Sequence, residues 1–356
     1  MHFLPIRTEE SNINHEEPRV QGHSRHEGNY GDNMPLRLIA SLLVAGALTS
    51  SATAAPAIDE FPSRSVRLVV GFAPGGPADA IARIVAQGLS ELWKQTVYVE
   101  NRVGASGAIA LRTATNAPSD GYTILVTSNS QIVSQLMAKT PSYDMVQDLI
   151  PTINVGSTPM ILVASNALGA KSLKSVIELS QGRKLNFGTA GAGSAPHLTF
   201  AYLLNGLAHT DSSHIPYSGA GPALNAVMGD QIDLAGLALT PVIPVAQSGR
   251  VVPLAITSTS RLADLPDVPT VAEQGYPEFE SSTWIGLFVA SGTPRAINDK
   301  INASIQQVID TPSYREKIKG QGFTLEGGTA SQFNSFVIAD FKRWQSYLEA
   351  AGIKPE

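Results

Sequence analysis

The sequence predicts an α/β protein built as two domains with a cleft between them, and three observations carry that expectation. The stretch Val66 to Arg83 (VRLVVGFAPGGPADAIAR) reads as strand, glycine–proline turn and helix. Its start is mostly apolar, it breaks at Pro74-Gly75-Gly76-Pro77, and Ile81, Ile84, Val85, Leu89 and Leu92 then recur at helical spacing. The same design returns downstream: Leu185 to Thr189 as strand, Ala190-Gly191-Ala192-Gly193-Ser194 as loop, and a helix from about Ala195. Finally, 356 residues suit two domains better than one. Strands alternating with helices argue for parallel sheets covered on both faces. Ligands of such sheets lie at the carboxyl ends of the strands, so the two glycine loops read as two walls of one cleft.

Glycine lets a backbone approach a ligand closely, and a helix start offers free N–H groups at the positive end of the dipole. The first loop can therefore hold an anion with backbone alone. The local pattern equally fits a plain turn in which Asp79 caps the helix. In the same half, Val97 to Val99 is a strand, Ala108 to Asn116 a helix, and Tyr122 to Thr127 a strand ending in Ser128-Asn129-Ser130. Those three polar residues fit either ligand contact or capping ahead of Ile132.

The second half runs through strand Met160–Ala164, a helix from a Ser172 cap to Leu179, and the second glycine loop. Its G-A-G-S-A-P string is no dinucleotide fingerprint, because Pro196 stands in the third glycine's place. His197 falls in the first helical turn, where a hydrogen-bonding task in the interdomain region is expected. Strand residues ending at His214-Ile215-Pro216-Tyr217, helix Ala220–Met228, and strands Ile232–Leu239 and Pro253–Ser258 follow. Trp284 to Ala290 is strand-like. Thr293 is expected to cap a helix opening at Pro294, Pro312 to open another, and Phe336 to Leu348 to form the last.

Residues 1–33 are polar and aperiodic, and four of the seven histidines lie there. They read as a disordered extension or a start assigned too early. Met34 opens a basic residue, Arg37, and an apolar run to Leu48. Small residues at Ala52-Thr53-Ala54 and Ala55-Pro56-Ala57 follow, so 34–57 reads as a signal peptide. The net charge of −5 and the lack of a basic run argue against nucleic acid. The absence of cysteine removes disulfides, thiolate metal ligands and a cysteine nucleophile.

F-A-P-G-G-x-x-D-x-x-A-R, Glu100-Asn101-Arg102 with Gly104 and Gly107, and Asp120 to Thr123 stand in one order with later motifs. These are Gly188 to Ser194 with His197-Leu198, His214 to Tyr217 with Gly219, Leu265 to Thr270, Trp284 to Gly286 and Gly292 to Pro294. In that order and spacing the chain resembles the substrate-binding receptors of tripartite tricarboxylate transporters, the Bug family. The resemblance implies a type II periplasmic binding protein fold. Domain 1 would comprise 58–156 and 287–356, and domain 2 would comprise 157–286. Crossings near Val155-Gly156 and Trp284 would form a hinge whose closure traps ligand.

It also implies a periplasmic monomer that binds a small carboxylate and delivers it to the membrane components of such a transporter, with no cofactor and no metal. Carried over by position, the binding residues are Gly75, Gly76, Pro77, Ala78 and Asp79, then Thr127 and Ser128, then Gly191, Gly193, Ser194, His197, Tyr217 and Gly219. Asp79 is expected to brace the loop rather than touch an anion. Two departures stand out. Ala78 replaces a hydroxyl residue of some relatives, so backbone must serve there. Ala235-Gly236-Leu237 lacks the acidic or polar residue often found there, which favours a simple carboxylate over an amino acid.

A ligand sensor feeding a membrane signalling partner would need the same features. A hydrolytic enzyme lacks its parts: there is no G-x-S-x-G, and Ser194 and His197 have no assigned third group. His197, His209 and His214 have no metal-ligand spacing, and no phosphate-loop lysine motif occurs.

Overall fold

Short β-branched runs pair as strands, and amphipathic stretches pack over them. The computed structural model describes residues 60–104 and 107–355; the expected signal peptide and the extension before it lie outside them. The first sheet is built from β1 (Val66–Val70), β2 (Val97–Asn101) and β3 (Thr123–Ser128), all parallel. It continues antiparallel through β9 (Ser282–Ala290) to β4 (Leu149–Ala164) and on to the short β10 (Thr324–Gly327). The second sheet joins β4 to β7 (Leu234–Ala238) and β8 (Val252–Ile256). From β7 it runs parallel to β5 (Asn186–Thr189) and β6 (Ser213–Pro216). Both sheets are therefore mixed, which corrects the expectation of parallel sheets.

The two sheets share β4. Its first part pairs with β9 and β10, and its end, from Met160, pairs with β7 and β8. Met160, Leu162 and Ala164 face one buried cluster while Ile161 and Val163 face another. This is the period of two that a strand covered on both faces requires. Pro151 and Pro159 hide the first part of the strand from local rules, which demote a strand containing proline.

At the crossing, Thr257 is fully buried. Its Oγ1 accepts from Met160 N–H at 2.8 Å and donates to the Ser281 carbonyl at 2.5 Å. Thr199 and Ser281 hydroxyls meet at 2.8 Å, and Asn129 donates to the Ser282 carbonyl at 2.7 Å. Thr257→Val keeps the volume but strands the Met160 donor. It is expected to cost about 1–3 kcal/mol in denaturant unfolding.

In the first half, α1 (Pro77–Trp93) and α8 (Arg295–Asp310) cover one face of the sheet with Ile81, Val85, Leu89, Ile301 and Ile305. The other face takes α2 (Ala108–Thr115), α3 (Ser130–Met137) and α10 (Ala330–Ala350). In the second half, α4 (Leu173–Ser180) and α5 (Ala195–Ala201) cover one face, and α6 (Ala220–Met228) and α7 (Ile243–Gln247) the other. Between α8 and β10 lies α9 (Pro312–Lys319). Ser172 caps α4 as expected, in a reciprocal box with Ser175. Thr293 does not cap α8. Its hydroxyl donates to the Ala290 carbonyl at 2.8 Å, and Pro294 occupies the cap with Arg295 first in the helix. Among the described residues, no helix is long and apolar enough to cross a membrane.

Candidate functional site

The first loop leaves the carboxyl end of β1 beside that of β3, because Val70 pairs with Val126. Gly75 takes φ +83°, a conformation that L side chains avoid. Gly76 is extended at φ −80°, and a Cβ there would meet only the Ala73 carbonyl at 3.5 Å. The positive φ therefore falls on Gly75, while Gly76 is glycine for no steric reason inside the protein.

Asp79, 3 % exposed, sits in the first turn of α1 and reaches back to Gly75 N–H at 2.9 Å. Asn101 donates to it at 2.9 Å, and Arg83 makes two bonds of 2.9 and 3.0 Å. Burial pushes its carboxyl up, but the bonds from Arg83, Gly75 and Asn101 prevail and hold it below the usual value. Asp79 thus braces the loop, with its charge offset by Arg83. Asn101 completes the brace by donating to the Phe72 carbonyl at 3.0 Å. Pro77 has no N–H, and among the described residues the N–H groups of Ala78 and Asp79 bond to nothing in the protein. They are the free donors of a 17-residue helix.

Thr127 and Ser128 are buried at the end of β3. The Thr127 hydroxyl is engaged by Gln131, whose amide lies against Gly107, where a Cβ would sit 2.0 Å from Nε2. The Ser128 hydroxyl accepts from Ser130 N–H at 3.2 Å. Asn129 occupies the cap of α3, but its side chain bonds Ser282 rather than the helix.

The second loop is occupied by itself. Ser194 caps α5 by accepting from His197 N–H at 3.3 Å, and its hydroxyl donates to the Gly191 carbonyl at 2.7 Å. Gly193 N–H donates to His197 Nδ1 at 3.2 Å, so that donor is already taken. Ser130 Oγ accepts from Ala195 N–H at 3.2 Å, which ties the start of α3 to that of α5. His197 therefore serves its own loop rather than the partner domain. It stacks on His214 with ring centroids 3.7 Å apart. Tyr217 packs its ring on Gly188, where a Cβ would come within 2.9 Å, so its aromatic face serves the core. Gly219 caps α6, and the N–H groups of Ala220 and Gly221 make no bond among the described residues.

The structure thus joins Ser130 with the second loop, whereas every described bond of the first loop stays within the first half. A concavity of about 500 Å³ lies elsewhere, between α8, α9 and β10. Ala235, Gly236 and Leu237 are inside β7. The first and last are fully buried, and a Cβ on Gly236 would strike Phe200. Their apolar character is a packing requirement, so it does not bear on a ligand amino group. Among the described residues no group of three or more His, Asp or Glu side chains could hold a metal. The roles of Arg83, Asn101 and Gln131 were missed in the sequence. Only Arg83 carried a local signal, standing four residues after Asp79 on one helix face.

Burial pushes the His197 imidazole down to about 4. Burial and the adjacent His197 ring push His214 down to about 3. Unfolded histidine binds a proton near pH ~6.5, so the neutral folded pair contributes fully above about pH 6.5 and its contribution is lost as pH falls towards about 4. Thermal denaturation followed against pH should show a loss on the order of 6 kcal/mol across that window, about 3 from each imidazole, and about half of it in His214→Gln.

Residues 81–353 match the model of the tripartite tricarboxylate transporter family receptor. The chain is 33% identical over 314 residues to protein BugT of Bordetella pertussis, covering 86% of this chain and 95% of that one. It is 35% identical over 308 residues to a UPF0065 protein from the tcbD-tcbE intergenic region of Pseudomonas sp. strain P51, covering 86% and 91% of the two chains. Among solved structures it is similar to R. palustris Rpa4515 with adipate (30% identity, TM-score 0.76, covering 83% of this chain and 100% of that one). The periplasmic binding protein BugD (31%, TM-score 0.73, 83% and 100%) and MatC of Rhodopseudomonas palustris with bound malate (29%, TM-score 0.73, 81% and 100%) are similar too. With its model matched over most of the sequence, the chain belongs to the receptor family of the tripartite tricarboxylate transporters, the TctC or Bug proteins.

Proposed function

We propose that this protein is an extracytoplasmic receptor that takes a small organic carboxylate between its two glycine loops and presents it to the membrane components of a tripartite tricarboxylate transporter. The observation that carries the reading is the start of α1. Two unbonded N–H groups, Ala78 and Asp79, stand beside a carboxylate that Arg83 and Asn101 already satisfy. Helix-terminal donors of this kind suit a carboxylate oxygen. The adipate and malate of the two related structures supply the ligand class. Domain 1 would comprise 58–156 and 287–356 and domain 2 157–286, closing about the β4 and β9 crossings, with the receptor acting as a periplasmic monomer.

A thermal-shift screen against mono-, di- and tricarboxylates, amino acids and aromatic acids tests the reading. A ligand at about 100 times its Kd adds roughly 2.7 kcal/mol of stability. Gly76→Val is the matched control. The protein has room for the side chain and the backbone is not strained. The variant should melt within about 1 kcal/mol of the parent yet lose its ligand shift. A variant that keeps the shift would remove this loop from the binding site.

A further inference from the structure

Two imidazoles hold the second loop from behind. His197 Nδ1 accepts from Gly193 N–H at 3.2 Å. Its ring lies on that of His214, with centroids 3.7 Å apart and planes 19° from parallel. His214 Nε2 meets Thr189 Oγ1 at 2.7 Å, and that hydroxyl donates its proton to the Gly191 carbonyl at 3.2 Å. With its proton on Gly191 the hydroxyl accepts from His214 Nε2–H, and in the other imidazole tautomer it donates to Nε2. The loop is thus tied at Gly191 through Thr189 and at Gly193 through a lone pair that protonation of His197 would remove.

In the ligand-free protein, nothing nearby among the described residues compensates a charge on the pair. Phe187 covers His214 at 5.1 Å. Neither β5, β6, β7, β9, α3, α5 nor α6 carries another charged side chain. On α10, which packs on α5, Arg343 pairs with Asp340, and Tyr347 stacks on Tyr202. Arg183 with Asp233 and Lys184 with Asp211 form pairs just ahead of β5, β6 and β7, away from the loop. Two stacked imidazolium rings would repel each other with no anion between them.

We propose that His197 and His214 are positioning residues for the ligand loop, and that acid releases the Gly191–Ser194 loop, and with it the ligand, by charging the stacked pair. The proposal rests on the reading that this loop grips a carboxylate. Its test has one arm without ligand and one with. The first follows the Gly193 amide resonance of the ligand-free protein from about pH 7 to about pH 3, past the folded His197 value of about 4. The second measures malate and adipate affinity over the same range.

The comparison is His197→Asn combined with His214→Gln. Asn places an oxygen where Nδ1 accepts, Gln keeps an N–H for Thr189, and neither takes a proton. The expected result is a Gly193 resonance that titrates near about pH 4 and stays still in the double variant, and an affinity that falls about tenfold or more beyond the double variant's, whose own fall reports protonation of the ligand's carboxyl groups. A Gly193 resonance that stays still down to about pH 3 overturns the proposal. So does a Gly193 titration that persists in the double variant, or a titrating loop whose affinity falls no further than the double variant's. Should that variant fail to fold, the single His197→Asn and the parent's own Gly193 titration decide in the same terms. If neither malate nor adipate binds at any pH, the receptor reading fails for those ligands. The ligand-free arm then still judges the positioning role.

Discussion

Asp340→Ala is expected to destabilise the protein by about 3–5 kcal/mol. Asp340 is 2 % exposed. Its Oδ2 accepts from the indole N–H groups of Trp284 at 2.7 Å and Trp344 at 2.9 Å, and its Oδ1 pairs with Arg343. Trp284 lies on β9 at the crossing and Trp344 on α10, and both are fully buried. One carboxylate therefore clamps the last helix to the strand that returns the chain to the first sheet. Removing it leaves two buried indole donors and a partly buried guanidinium without their acceptor, and each desolvated group carries its own penalty. Asp340→Asn keeps one acceptor oxygen and should fall between parent and Ala. Urea unfolding of the three proteins measures the order, and equal midpoints for Ala and parent would refute the clamp.

Asp79→Ala should act on binding more than on folding. The substitution frees Gly75 N–H, Asn101 and Arg83 together. Arg83 is 55% exposed along its side chain, so water takes over most of what it loses. Gly75 is exposed and Asn101 half-buried, so each of their lost bonds costs about 0.5–1.5 kcal/mol of stability. The larger consequence is geometric. With its brace gone, the loop no longer holds the Ala78 and Asp79 N–H groups in place. A displacement on the order of an ångström spoils a bidentate carboxylate contact, so affinity for malate or adipate is expected to fall about thirtyfold or more. Isothermal titration of parent and variant reads this directly. An unchanged Kd in a folded Asp79→Ala protein would show that the ligand does not sit on this loop.

Periodicity and punctuation were enough to read the strand–glycine–helix units, the Ser172 cap, the span of α6 and the family resemblance. These features are local. Apolar spacing within a few residues decides which face is buried, and a glycine or serine at the right offset ends or begins an element. The tertiary structure decided the rest. β4 runs sixteen residues through two prolines because β9, β10, β7 and β8 supply its partners from distant parts of the chain. Thr293 loses its cap to the Ala290 carbonyl, and Gly236 is fixed by a Phe200 ring that no local rule connects to it.

The site divides in the same way. The sequence by itself determined where the loops stand and that a helix begins after each, with unbonded backbone N–H groups expected at its first turn. It left undetermined which of those groups are free. Gly193 N–H is consumed by His197, whereas Ala78 and Asp79 N–H are not. The physical reason is that a hydrogen-bond donor has a finite capacity. Whether that capacity is spent inside the protein depends on side chains brought together by folding, such as His214 on His197 or Asn101 under the first loop, and not on the residues beside it in the chain.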